Sequence, residues 1–224
     1  MCGRYTRRTP LRVLASLFDC EAPAEMPPRY NIAPTQPVAA IRRTGDGRRE
    51  IAAMRWGLVP SWATDVRIGN RLINARSETV ATKPAFRAAF QQRRCLIPAD
   101  SFYEWRQQGK EKQPFLIQQR DGQPLAFAGL WERWQDDKLP PLETCAILTT
   151  SANELMKPLH ERMPVILAPT DWPRWLDAAT PPVEAEALLR PWPDDTLSAM
   201  PVSTWVNNPR HDDPRCLEAA ATLF

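Results

Sequence analysis

Val38-Ala39-Ala40-Ile41-Arg42-Arg43, then Thr44-Gly45-Asp46-Gly47-Arg48, then Arg49-Glu50-Ile51-Ala52-Ala53-Met54-Arg55-Trp56 reads as two strands joined by a tight glycine–aspartate turn. Strands are expected over Val38–Arg43 and Arg49–Trp56. Downstream, further strands are expected at Cys95–Ile97, at Phe102–Arg106 and Pro114–Gln119 around Gly109, and at Leu125–Trp131 after Asp121-Gly122. Glu143–Thr149 and Val165–Leu167 complete the set. Helices are expected from Thr9 and Pro10, as cap and first turn, with Leu11, Leu14 and Phe18 inward. Others are expected over Pro84–Phe90, from a Ser151/Glu154 capping box to Pro158, and near Thr170–Asp177 and Pro182–Leu189. The proline-rich stretch 23–37 reads as an ordered loop. Most strands are hairpin-linked instead of alternating with helices, which predicts an α+β fold with an antiparallel, partly barrel-like sheet and flanking short helices.

The 224 residues fit one domain, 1–224, with a core that needs no staples. The five cysteines are scattered, with no C-x-x-C, which argues against a disulfide framework or zinc ribbon and for a reducing compartment. No signal segment and no apolar run of membrane-spanning length is present, so the expected location is the cytoplasm. Two histidines and no paired cysteines give metal ligation little support, and no cofactor is implied.

Charge is unevenly placed. Residues 1–95 carry 17 Lys/Arg against 7 Asp/Glu, and residues 96–224 carry 12 against 19. One reading is a face that meets a polyanion, for which arginine suits bidentate phosphate contact. The other is that the two parts pair with each other inside the fold.

Chemistry-bearing positions are few. Cys2 follows the initiator methionine; removal of Met1 would leave an α-amine and a thiol two carbons apart, both partly nucleophilic near neutral pH. An aldehyde meeting that pair can give an imine, which the thiol closes to a thiazolidine. The plain alternative is an ordinary residue behind a retained methionine. His160 lies at an element edge, and His211 reads as a solvated loop residue. Glu104, between Tyr103 and Trp105, either faces out or is a carboxylate in a partly dry pocket with a raised pKa; alternation alone favours outward. Asn74 and Arg76 are two apart and can point the same way from an extended segment. Trp56 suits a core, whereas Trp62 on a loop can stack on a base. No phosphate loop, G-x-S-x-G or H-E-x-x-H is present.

Taken in order, Cys2-Gly3-Arg4-Tyr5, Arg29-Tyr30-Asn31-Ile32-Ala33-Pro34, Trp56-Gly57-Leu58-Val59-Pro60-Ser61-Trp62 and Asn74-Ala75-Arg76-Ser77-Glu78-Thr79 form a joint pattern. It continues through Arg94-Cys95-Leu96-Ile97-Pro98-Ala99-Asp100, Phe102-Tyr103-Glu104-Trp105, Phe127-Ala128-Gly129-Leu130-Trp131, Ile147-Leu148-Thr149-Thr150 and His160-Glu161-Arg162-Met163-Pro164, closing with Pro201-Val202-Ser203 and Val206-Asn207. The chain thereby resembles the SOS response-associated peptidase (SRAP) family of abasic-site processing proteins. Ser101 stands where the family pattern has glycine.

The resemblance implies a monomeric single-stranded-DNA binder that bonds covalently to the aldehyde of an abasic site and shields it. It implies Cys2 as the nucleophile and Asn74 as the group positioning nucleophile and sugar. Glu104 would move protons during amine addition and dehydration, and His160 would protonate the sugar oxygen. Arg4, Arg76, Arg162 and Thr149 are implied backbone contacts, with Pro34 and Trp62 near displaced bases. It further implies autocatalytic loss of Met1 and lyase-type chemistry, without metal, cofactor or membrane, and association with the nucleoid through DNA. Two rival classes stay open: a peptidase using Cys2 and His160 as a dyad, and a module binding single strands without bonding to them.

Overall fold

The glycine-centred turn is a hairpin. Strands Pro37–Arg43 and Arg49–Trp56 pair antiparallel from Pro37 opposite Arg55 to Arg43 opposite Arg49. Gly47 takes φ 87°, which a residue without Cβ adopts at no steric cost.

The computed structural model describes residues 2–22, 26–109, 111–136 and 139–220. In chain order the strands are β1 (Tyr5–Arg7), β2 (Arg29–Ile32), β3 (Pro37–Arg43), β4 (Arg49–Trp56), β5 (Asn74–Arg76) and β6 (Arg94–Ala99). They continue as β7 (Ser101–Gln108), β8 (Glu111–Gln119), β9 (Leu125–Asp136), β10 (Leu139–Ser151), β11 (Arg162–Pro164) and β12 (Leu197–Pro201). The α-helices are short: α1 (Leu11–Phe18), α2 (Arg87–Gln92), α3 (Trp172–Leu176) and α4 (Pro182–Glu186). Strands β10, β4, β3, β6 and β9 form a ring that the β9–β10 pairing closes, and β5 and β11 flank β10. A second sheet runs β12-β8-β7-β1-β2. This is the expected α+β, largely antiparallel, partly barrel-like fold. Its exceptions are the parallel pairings of β10 with β4 and with β5.

Alternation along the ring strands builds two cores. Ala39, Ile41, Leu96, Ala128 and Leu148 pack with residues of the helices, whereas Val38, Ala40, Ile97, Phe127 and Ile147 pack with residues of the second sheet. The second core takes in Cys2, Tyr5, Phe102 and Phe115, so the amino end of the chain enters the protein interior.

Several local expectations are corrected. Helix α1 forms with Leu11, Leu14 and Phe18 buried, but Pro10 is its cap residue and the Thr9 hydroxyl donates to Asp100 instead. Ser151 ends β10, and residues 152–159 make turns closed by the Asn153 side chain, which accepts from Met156 N (3.0 Å), so no capping-box helix forms. Helix α2 begins three residues later than expected. The stretch 23–37 contains β2 and starts β3; residues 23–25 lie outside the described residues. His211 is not a solvated loop residue: its ring stacks on Trp205 with centroids 3.5 Å apart, and its Nδ1 lies 2.8 Å from Trp205 O.

Part of the charge split is settled within the fold. Arg29–Asp212, Arg42–Glu143, Arg43–Asp177 and Arg93–Glu132 each join a basic residue of the first part to an acidic residue of the second. No carboxylate of the described residues pairs with Arg4, Arg71, Arg76 or Lys83. Among the described residues no helix is long and apolar enough to cross a membrane.

Candidate active site

Strand β1 pairs with β7 at Tyr5 opposite Phe102, and the Tyr103 amide donates to Arg4 O (3.0 Å). Past that point β7 is not continued by β1, and Gly3 and Arg4 meet Glu104 and Trp105 at the wall of a cleft. The cleft has a volume of about 610 Å³ and is lined by Gly3, Arg4, Glu104, Trp105, Lys112, His160 and Asn207. That size suits a bound ligand, not a surface dimple.

Cys2 is fully buried beside it. Burial, followed by the nearby Glu104 carboxylate, pushes its thiol far above the usual range, so the sulfur is a neutral thiol in this arrangement. Glu104 is itself buried at 4 % exposure, and loss of solvent raises its pKa. It faces inward because both sides of β7 are covered. Phe102 and Ile117 lie in the core that holds Cys2, while Tyr103 and Leu116 pack under Val202, Val206 and Cys216 of the C-terminal segment.

Asn74 arrives on β5, which runs parallel to β10 with Asn74 opposite Ile147 and Arg76 opposite Thr149. The Trp56 indole donates to Ile73 O (2.9 Å), fixing the approach of this strand. Asn74 Nδ2 donates to Cys2 O (3.0 Å), and its Oδ1 is buried without a hydrogen-bond partner among the described residues. An unpaired buried acceptor costs about 1–3 kcal/mol, and such costs are tolerated chiefly at working sites.

His160 is half-buried, and its Nδ1 accepts from Arg162 N (2.9 Å). That bond leaves the proton of the neutral ring on Nε2, and burial lowers the pKa of the group. A histidine and a buried carboxyl thus share the cleft next to Cys2 while an amide holds the Cys2 carbonyl, a set suited to proton transfer about an amine or thiol adding to a carbonyl.

A second cleft, about 730 Å³, is lined by Asn74 together with Arg71, Arg76, Thr79, Thr82 and Lys83. Asn74 and Arg76 do share a side, with Ala75 buried between them. Arg162 is paired with Glu78 (Nη2–Oε2 2.9 Å) and also donates to Thr149 O (2.6 Å). Thr149 is fully buried, so as placed it supports Arg162 and offers no exposed surface to a ligand. Trp62 is 60 % exposed on its loop and Trp56 is in the core, as expected. Neither Trp62 nor the half-buried Pro34 lines the two clefts. Lys112, Asn207, Arg71 and Lys83 were missed by sequence reasoning, because no local pattern marks a residue brought to a cleft by a hairpin or a distant loop.

A model of the SOS response associated peptidase (SRAP) family matches residues 1–209. The chain is 43 % identical to the abasic site processing protein YoaM of Bacillus subtilis over 98 % of each chain. It is 34 % identical to the abasic site processing protein YedK of Escherichia coli, over 75 % of this chain and 76 % of that one. A solved structure from Bacteroides thetaiotaomicron superposes with a TM-score of 0.89 at 24 % identity, covering 98 % of this chain and 100 % of that chain, which is a likeness of fold.

Proposed function

The chain belongs to the SOS response associated peptidase family, and from that premise we propose that it captures abasic sites in single-stranded DNA through Cys2. The observation that carries the reading is that Asn74 holds the Cys2 carbonyl and Glu104 lies near the Cys2 thiol, with Glu104 and His160 lining the cleft next to it. Loss of Met1 frees the Cys2 amine. The amine adds to the C1′ aldehyde of the ring-opened sugar, and water leaves to give an imine. The thiol then adds to the same carbon, its proton passing to nitrogen, and a thiazolidine links protein to DNA.

Only an amine condenses with an aldehyde to an imine, so the amine attacks first and the sulfur, whose ionisation burial disfavours, closes the ring. Glu104, with a raised pKa, is suited to giving and taking protons in addition and dehydration. Neutral His160, with its proton on Nε2, is suited to donating to the sugar oxygen. The unpaired Asn74 Oδ1 is an acceptor for the amine or a sugar hydroxyl. Arg4, Arg76 and Lys83 supply uncompensated positive charge for the strand, Arg162 reaches it from its pairing with Glu78, and exposed Trp62 offers a stacking surface. The role that follows is shielding of abasic sites during the response to DNA damage.

The test is a denaturing gel of purified protein with an oligonucleotide carrying one abasic site. A retarded band that survives heat is expected. A peptidase would instead cleave peptide reporters and leave the oligonucleotide free, and a simple strand binder would release it on denaturation; either result rejects the reading.

A further inference from the structure

Arg4 is anchored at the cleft wall without a carboxylate. Its Nη1 donates to Asn31 Oδ1 (2.8 Å) and to Val206 O (3.0 Å), and its guanidinium lies over the Trp105 ring at 5.8 Å. All of these are neutral groups, and no carboxylate of the described residues pairs with it. Arg29, Arg42, Arg43 and Arg93, by contrast, are held by Asp or Glu, which fixes the side chain but cancels its charge. A neutral anchor fixes geometry and leaves the charge for an incoming anion.

Asn31 is built for this task. It is fully buried, and its Nδ2 donates toward the carbonyls of Val206 (3.1 Å), Asn208 (3.1 Å) and His211 (2.7 Å). These donors fix which amide atom faces Arg4: the nitrogen is committed to the C-terminal loop, so the oxygen must turn to the guanidinium. Asp212 completes the clamp by accepting from the Asn31 amide (2.9 Å) and from the Tyr30 amide (2.5 Å), and by pairing with Arg29. The chain thus spends a C-terminal loop and the centre of the Arg29–Pro34 motif on orienting one cation at the cleft.

We infer that Asn31 is a positioning residue that holds Arg4 as an uncompensated cation, so that Arg4 contacts a phosphate of the bound strand. The inference rests on the proposed single-strand DNA reading, but its test uses undamaged DNA and so is separable from cross-linking. Asn31→Asp keeps an acceptor for Arg4 and introduces the charge that the native anchor avoids. Affinity for an undamaged single strand should fall about tenfold, the size of one lost charge-assisted contact. The log–log salt slope should flatten by about 0.7. In an Arg4→Ala background the same change should move affinity by less than about twofold, because the cation it acts through is gone. A general structural role would instead give equal losses in both backgrounds, and that result overturns the inference. So does an Arg4→Ala protein that binds as the parent does, even if heat-stable adducts still form with abasic DNA. Should Asn31→Asp fail to fold, Asp212→Asn decides. An Arg4-dependent loss of binding supports the inference; no loss, or one independent of Arg4, overturns it.

Discussion

Glu104 sits where ionisation is costly, and that cost has a definite pH dependence. Burial raises its pKa in the folded state above the unfolded value of about 4.3. Between those two values the folded state holds a proton that the unfolded state has lost, so this group's contribution to stability falls as pH rises through the window. Below about pH 4.3 both states are protonated and the penalty vanishes. Glu104→Gln should therefore gain stability over the parent at pH 8 and none at pH 4, measured by denaturant unfolding at both. The same variant should slow cross-linking to abasic DNA on the order of 10²-fold, since a proton carrier is lost. A Gln variant with the parent's pH–stability profile would contradict the buried carboxyl. Alternation had made this residue look solvent-facing. That rule supposes one wet face, and at Phe102–Glu104 the Cys2 core covers one side of β7 and the C-terminal segment the other, leaving Glu104 only the wall of the cleft.

At the scale of elements, long hairpins were legible and short strands were not. Strands β3 and β4 carry alternating apolar residues and a glycine turn within one contiguous stretch. Strands β1, β2, β5 and β12 have three to five residues each and acquire their identity from distant partners. They nonetheless carry or place Arg4, Asn31 and Asn74, so the part of the site hardest to read locally is the part set by tertiary pairing. Ser101 shows how a departure from the family pattern is accommodated: its buried hydroxyl lies 2.7 Å from that of Thr6 on β1, so each polar group satisfies the other. The exit from β4 is more demanding. Gly57 has φ 129°, and a Cβ there would lie 2.6 Å from Gly69 O. Gly57→Ala should cost about 1–3 kcal/mol, from backbone strain alone, and should weaken DNA capture by shifting the loop that leads to Trp62 and Asn74. Thermal unfolding and adduct yield check the two effects; a variant with parental stability would mean that the loop does not need this conformation.

Across the whole molecule, the asymmetry between a basic first part and an acidic second part served two ends. Part of it forms ion pairs that tie distant segments together, such as Arg29 with Asp212 and Arg42 with Glu143. Of the rest, Arg4 lines the cleft that holds Glu104 and His160, and Arg71, Arg76 and Lys83 line the cleft that holds Asn74. Total charge therefore overstates the binding surface, and only the residue-by-residue pairing reveals it. Single-strand affinity should fall with salt at about −0.7 per phosphate neutralised, and Arg76→Ala should flatten the slope by about one such contact. Removing a charge already committed to the fold, as in Arg42→Ala, should lower stability and leave the slope alone. Equal slope changes in the two variants would mean that the ion pairs open for DNA and that the division drawn here is wrong.

The central claim is that the Cys2 amine and thiol act in sequence on one carbon, and the direct measurement compares parent protein with Cys2→Ser on the same abasic oligonucleotide, with and without borohydride. The serine variant keeps the amine but has a far weaker second nucleophile. The parent should give a heat-stable adduct without reductant and little strand cleavage. Cys2→Ser should give an adduct only when borohydride traps the imine, together with strand cleavage by β-elimination from the open imine. A serine variant that forms a heat-stable adduct without reductant as fully as the parent would contradict ring closure by the thiol.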